Sequence, residues 1–291
     1  MRVGFAGLGN MGRPMALNLS KAGFELVVYD SAPAAAAAFV GVENCTPATG
    51  PGDLAACDAV ITMLPTGAIV RDLLTRADGG AFLNAARPGL IVIDMSSSEP
   101  AGTRELAAQL AARGVALIDA PVSGGVVRAA DGTLAIMAGT DDEAALEKVR
   151  PLLMAMGARV FETGGSGTGH AAKALNNVVA GTTFAVLAEA LLAARRFGLD
   201  EATLIDVMEA STGQSFFTRH VMKQHVVSGE YATGFAIGLL AKDVKIAAGM
   251  AHELGMAAPL MDLSLQRWEQ ARDALGYASD NSAAITVWTE S

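Results

Sequence analysis

Arg2-Val3-Gly4-Phe5-Ala6-Gly7-Leu8-Gly9-Asn10-Met11-Gly12-Arg13-Pro14-Met15-Ala16 opens the chain and decides its fold. The apolar run Val3-Ala6 meets a G-x-G-x-x-G pattern at Gly7, Gly9 and Gly12, and the chain passes at once into a helical pattern from Met11 to Ala22. In a strand–turn–helix context the first glycine permits the tight turn and the second lets backbone approach a pyrophosphate. The third allows the helix to pack closely on the strand. The helix N-terminus then faces the phosphates with its free N–H groups and the positive end of its dipole. A second strand candidate, Leu26-Tyr29, ends at Asp30, which is placed to hydrogen-bond ribose hydroxyls and to repel a 2′-phosphate. Ser31, Ala32 and Pro33 supply no arginine to offset that repulsion. Gly7, Leu8, Gly9, Asn10, Met11, Gly12 and Asp30 are therefore expected to hold a dinucleotide, NAD in preference to NADP. The plainer reading is a tight turn beside an aspartate that merely ends a strand.

Outward from this turn, further short apolar runs recur at Val60-Met63, Leu90-Ile93, Val115-Ile118, Leu134-Met137 and Arg159-Phe161. Several are continuous rather than alternating, as parallel strands buried on both faces require. Helical stretches such as Glu99-Arg113 and Asp142-Met156 separate them, and Ala34-Ala38 reads as a helix start. The alternation predicts an α/β fold, with a doubly wound, mostly parallel Rossmann sheet over residues 1–162. After the connector Thr163-Gly164-Gly165-Ser166-Gly167-Thr168-Gly169 only helical patterns follow: His170-Phe197, Glu201-Ala210, Phe216-Ser228, Leu239-Leu254 and Pro259-Ala274. Residues 163–291 are thus expected to form an all-α domain for substrate binding and oligomerisation. The first of its helices, roughly 40 Å long at 1.5 Å per residue, would join the two domains.

Composition narrows the classes. At 291 residues the chain suits two domains, and 52% hydrophobic residues exclude global disorder. A formal charge of −9 argues against a general nucleic-acid or anionic-membrane binder. Cys45 and Cys57, the two cysteines, stand without a CxxC or a nearby histidine, so neither a zinc site nor a disulfide framework is expected. No metal is expected at all. Mean hydropathy is +0.37. Yet the longest apolar stretch, Val178 to Ala194, is Ala-rich and broken by Thr182, Thr183 and Glu189, which suits a buried helix. The N-terminus carries no basic-then-apolar leader pattern. A soluble, cytoplasmic protein without nucleic-acid or membrane partners is the expectation.

Four blocks, in order along nearly the whole chain, resemble the β-hydroxyacid dehydrogenase family. They are Gly7 to Ala16, Asp119-Ala120-Pro121-Val122-Ser123-Gly124-Gly125, Gly167-Thr168-Gly169-His170-Ala171-Ala172-Lys173-Ala174-Leu175-Asn176-Asn177, and Lys242-Asp243. The resemblance implies an NAD-dependent oxidoreductase that interconverts a small 3-hydroxy acid with its semialdehyde or keto acid. The second block resembles the family's substrate signature, and Ser123, Gly124 and Gly125 suit a carboxylate because they combine a hydroxyl with unobstructed N–H groups. The third resembles the catalytic motif, with Lys173 as general acid/base. Lys173 and Asn177 lie four apart and so share a helix face, where Asn177 could orient substrate or the ammonium group. Oxidising an alcohol requires removal of the hydroxyl proton, and the reverse requires a donor. A lysine serves both if burial or a neighbouring cation lowers its pKa from about 10.4.

By the same resemblance Leu64, Pro65 and Ser96 line the cofactor, Ser96 on its nicotinamide half, and Lys242 lies near the nicotinamide ribose. Ser96 with Glu99 also fits a capping box for the next helix, and Pro65 could simply stop one. Gln214 falls in Ser211-Thr212-Gly213-Gln214-Ser215, either a specificity loop or a plain turn. His170 reads as a neighbour of the site rather than its acid, and Trp268 and Trp288 as packing or subunit-contact residues. The Ala- and Met-rich second domain suggests a homo-oligomer, dimer or tetramer. Three alternatives stay open: an imine reductase of similar fold, which Lys173 disfavours; a reductase of phosphorylated sugar acids, which Arg128 and Arg219 keep in play; and a non-catalytic dinucleotide-binding module.

Overall fold

The structure, a computed structural model, describes residues 1–75 and 81–288. By internal contacts the chain divides into two compact units, Met1–Lys173 and Ala174–Ser291.

The first unit is built on a nine-stranded sheet. Its strands are β1 (Arg2–Ala6), β2 (Glu25–Tyr29), β3 (Cys45–Pro47), β4 (Ala59–Thr62), β5 (Ile91–Asp94), β6 (Ala116–Asp119), β7 (Val122–Ser123), β8 (Leu134–Gly139) and β9 (Gly157–Gly164). The order β3-β2-β1-β4-β5-β6 is wholly parallel. This is the dinucleotide-binding arrangement, with the chain reversing direction across the sheet beside β1. Beyond β6, β8 runs antiparallel, carrying antiparallel β7 on one partner and parallel β9 on another. Side-chain alternation assigns the two faces. Val3, Phe5, Ile61 and Ile93 join one apolar cluster with Met15, Leu19 and Leu153; Val27, Val60, Val92 and Leu117 join another with Leu74, Leu106 and Leu110. Every residue of β4 and β5 is buried, which is why those segments read as continuous aliphatic runs up to their closing Thr62 and Asp94.

Helices Gly12–Lys21, Pro100–Ala111 and Glu143–Met156 cover the sheet where the sequence predicts them. Asp142 caps the last of these, accepting from the Ala145 N–H at 2.9 Å. The Ala34 start becomes only a single short helix, Pro33–Ala37. Two strands escape the sequence reading: β3, a half-exposed edge ending in Pro47, and the two-residue β7. The Ser96–Glu99 capping box is also corrected. The helix begins at Pro100 with Glu99 as its cap and no side-chain bond, because the Ser96 hydroxyl is occupied elsewhere.

The second unit is helical, with Glu201–Glu209, Thr218–Val227, Ile237–Glu253 and Pro259–Leu275 following the end of the long helix Thr168–Phe197. Thr218–Val227 is wound as a π-helix, a variant that periodicity does not distinguish from an ordinary one. Its core gathers Phe184, Trp268 and Trp288, whose rings stack edgewise or tilted at 5.1–6.1 Å. The Trp268 indole N–H donates to the Gly181 carbonyl at 3.2 Å. Thr168–Phe197 is long and apolar enough to cross a membrane, but 56% of its apolar window is buried by the fold, so it is a core helix.

Candidate active site

The turn after β1 is shaped by contacts that leave little freedom. The Gly7 N–H donates to the Tyr29 carbonyl at 2.9 Å and the Leu8 N–H to Asp30 Oδ2 at 2.7 Å. Asp30 Oδ1 accepts from the Ala32 N–H at 2.8 Å. The half-buried carboxylate therefore ties the glycine turn to the end of β2, and its remaining lone pairs stay available to a ribose hydroxyl. A Cβ on Gly12 would lie 1.8 Å from the Gly7 carbonyl oxygen, so only glycine lets the helix start this close. A Cβ on Gly9 would meet nothing within 4 Å, which leaves a backbone cradle open for a pyrophosphate. The helix Gly12–Lys21 begins without a capping side chain. These features fit a dinucleotide.

The carboxyl ends of β4 and β5 lie next along the same edge, where open α/β sheets take their ligands. Here the Leu64 N–H donates to the Ser96 hydroxyl at 2.9 Å, joining the two turns. Asp94, at the end of β5, organises them from beneath. Its carboxylate accepts from Thr62 Oγ1 at 2.9 Å, the Ser96 N–H at 3.0 Å and Ser98 Oγ at 3.0 Å, all buried. Pro65 is exposed beside them. Ser123 pairs with Ala135 in the β7–β8 ladder, and Gly124 and Gly125 follow it into solvent. The aliphatic stem of Arg128 lies across Gly124, with its Cδ 2.6 Å from where a Cβ would stand.

Lys173 is half-buried on Thr168–Phe197, with Asn177 four residues on along the same face. Within the second unit Asn177 is 6% exposed, and its amide donates to Asp243 Oδ2 at 2.6 Å. Asp243 is 3% exposed, and its other oxygen lies 3.5 Å from Lys242 Nζ. Asn177 and Lys242, 65 residues apart, are thus gathered around one buried carboxylate. Gln214 stands outside both clusters. It is exposed, and its amide donates to the Glu209 carbonyl at 3.2 Å.

Comparison with known proteins decides the family. Residues 2–165 match the family described as the NAD binding domain of 6-phosphogluconate dehydrogenase. Residues 167–288 match that described as the NAD-binding of NADP-dependent 3-hydroxyisobutyrate dehydrogenase. The chain is 36% identical to 2-(hydroxymethyl)glutarate dehydrogenase of Eubacterium barkeri, over 100% of this chain and 95% of that protein. It is also 36% identical to NAD-dependent L-serine dehydrogenase of Pseudomonas aeruginosa, over 91% and 90% of the two chains. The solved structure of Mycobacterium tuberculosis 3-hydroxyisobutyrate dehydrogenase with L-serine superposes with a TM-score of 0.89 at 34% identity, covering 99% and 98%. The chain belongs to the β-hydroxyacid dehydrogenase family.

As a β-hydroxyacid dehydrogenase the protein is an NAD-binding oxidoreductase acting on CH–OH groups, and its parallel sheet followed by a helical region is the architecture expected of it. One functional candidate of this dehydrogenase, Asp94, has no signal in the sequence, and another, Asp243, is read there only as half of the Lys242-Asp243 pair; that it holds Asn177 is a tertiary fact. Asp94 ends a strand like Asp30, but nothing local says that it faces inward.

Proposed function

We propose that this dehydrogenase oxidises a small 3-hydroxy acid to its semialdehyde or keto acid, and reduces the product in reverse, with Lys173 as general acid/base. Ser123 and the N–H groups of Gly124 and Gly125 hold the substrate carboxylate. Gly7, Leu8, Gly9, Asn10, Met11, Gly12, Asp30, Leu64, Pro65, Ser96 and Lys242 hold the cofactor. Bound NAD supplies the hydride acceptor. In the oxidative direction Lys173, as the free amine, takes the proton of the substrate hydroxyl while the C–H bond gives up its electron pair, leaving a carbonyl and a lysine ammonium. In the reductive direction the same ammonium returns the proton to the nascent alkoxide. Asn177 orients the reacting group. The observation that carries this reading is the anchoring of Asn177 by buried Asp243, since an amide fixed at 2.6 Å, one helical turn from a half-buried lysine, serves orientation rather than solubility.

Asp30 favours NAD over NADP because its ionised carboxylate would meet a 2′-phosphate. Residues 1–162 carry the dinucleotide-binding turns, and 163–291 carry Lys242, the remaining substrate contacts and a homo-oligomer interface, in the cytoplasm. Gln214 would tune specificity from the loop after Glu201–Glu209. A second reading, a substrate with another acidic group such as a phosphorylated sugar acid, rests on the charge of Arg128, whose side chain lies against Gly124.

The test is NADH formation from NAD⁺ over 3-hydroxyisobutyrate, L-serine, glycerate, 2-(hydroxymethyl)glutarate and a phosphorylated sugar acid, with Lys173→Ala alongside. Turnover on one acid that falls by about 10²–10⁴-fold in the variant, with NADH affinity retained, is the expected result. A variant as fast as the parent would remove Lys173 from the chemistry.

A further inference from the structure

His170 is buried within the first unit, 1% exposed, three residues before Lys173 on the same helix. Its ring joins two other segments. Nε2 lies 3.2 Å from the Ser96 carbonyl, and Nδ1 lies 2.8 Å from the Thr103 hydroxyl on the helix Pro100–Ala111. A carbonyl only accepts, so Nε2 carries the proton of the first bond; in the neutral ring Nδ1 accepts from Thr103, whose one hydroxyl proton is shared with the Glu99 carbonyl at 3.1 Å. The backbone joins a third segment, because the His170 N–H donates to Asp119 Oδ2 at 2.8 Å and the Gly167 N–H to Asp119 Oδ1 at 2.7 Å. The carboxylates of Asp94 and Asp119 stand 3.7 and 3.8 Å from the two ring nitrogens. Close approach is built in: a Cβ on Gly169 would fall 2.5 Å from the Asp119 carbonyl oxygen.

We propose that His170 is the positioning residue of this dehydrogenase, fixing the first turn of the Lys173 helix against the Ser96 loop. The ring touches neither substrate nor cofactor. It acts through Ser96, whose hydroxyl already holds the Leu64 turn, and through Lys173, whose distance along the helix from His170 is fixed at about 4.5 Å of rise. Acid/base group and cofactor wall are thus set from one imidazole. The inference rests on the proposed roles of Lys173 and Ser96. A displacement of about 1 Å in such a constellation costs on the order of 10²-fold in rate.

Three variants of the full chain test it. His170→Gln can keep both side-chain bonds, one as donor and one as acceptor; His170→Leu keeps neither; Thr103→Val removes one partner. NADH affinity is read by fluorescence, and kcat and KM on whichever acid the wild type turns over. We expect His170→Leu to lower kcat by about 30–100-fold and weaken NADH about fivefold, with the substrate KM within twofold, and His170→Gln to restore most of the rate. Thr103→Val should fall between them. His170→Leu within twofold of wild type in both readouts, or His170→Gln falling as far as His170→Leu, would overturn the proposal. Should His170→Leu fail to fold, Thr103→Val decides: a several-fold loss of kcat at constant KM supports it, and an unchanged kcat sinks it. If the wild type binds NADH yet oxidises no acid, the reading of the active site falls; the NADH ratio of His170→Leu to wild type still decides for or against His170.

Discussion

Two glycine-rich turns in the first unit lead from a strand into the start of a helix, and they end differently. Gly7–Gly12 runs from β1 into Gly12–Lys21, and Gly164–Gly169 runs from β9 into Thr168–Phe197. At the first, the nearby carboxylate of Asp30 is half-exposed and binds the turn from the side, while the space over Gly9 stays open and no side chain caps the helix. At the second, Asp119 is buried beneath the turn and accepts two of its N–H groups. Both helix starts attract an anion, since each presents unpaired N–H groups and a positive dipole end. One leaves the place for a ligand; the other fills it with a carboxylate of its own. Glycine content alone therefore does not mark a phosphate site. The position of the nearest acidic side chain does.

The largest effect expected from this comparison is at Gly12. Gly12→Ala sets a methyl against the Gly7 carbonyl and should cost about 3 kcal/mol in a denaturant melt and abolish NADH binding. Gly9→Ala, with open space around it, should leave the melt unchanged and weaken NADH about tenfold, since the added methyl occupies the cradle alone. Equal destabilisation by the two would break the distinction between packed and open glycines.

Next comes Asp119→Ala, which strands the Gly167 and His170 N–H groups in a buried place. About 2–3 kcal/mol of stability should go, measured by urea denaturation. Loss of less than half of that would mean the second turn does not need its internal anion.

The smallest effect concerns pH. Burial pushes the Asp119 carboxyl above the ordinary carboxylate range, while His170 and the N–H groups of His170 and Gly167 pull the other way without prevailing. The folded state therefore holds this proton more tightly than the unfolded chain does. The resulting stability is complete below the ordinary value near 3.8 and is lost as pH rises through the raised one. The stability of wild type relative to Asp119→Asn should accordingly decline from acid toward neutral pH. A difference that grows over the same range would reverse the assignment.

The same contrast explains what was legible in the sequence. The strand, turn and helix around Gly7–Gly12 read correctly because every part of the pattern is local. β4 and β5 read correctly because burial on both faces keeps each run apolar up to its last residue, Thr62 or Asp94. The edge strand β3 fails because three residues, none of them buried and the last a proline, carry no such signature. Ser96 was half-read. Its spacing to Glu99 suggests a cap, but its hydroxyl is drawn to Leu64, 32 residues away, a partner that no periodicity reveals. Asp119, Thr103 and His170 meet across separations of 51 and 67 residues, so their joint role exists only in three dimensions.

The aromatic core of the second unit has a practical consequence. Both tryptophans of the chain, Trp268 and Trp288, lie in that core beside Phe184, and the first unit has none. Ultraviolet emission excited at the indole band therefore comes from one unit only. The loss of that emission on heating is a clock for the helical half, while far-ultraviolet circular dichroism records both. Run together on one sample, the two optical signals separate the opening of the helical half from that of the whole chain without any label being attached.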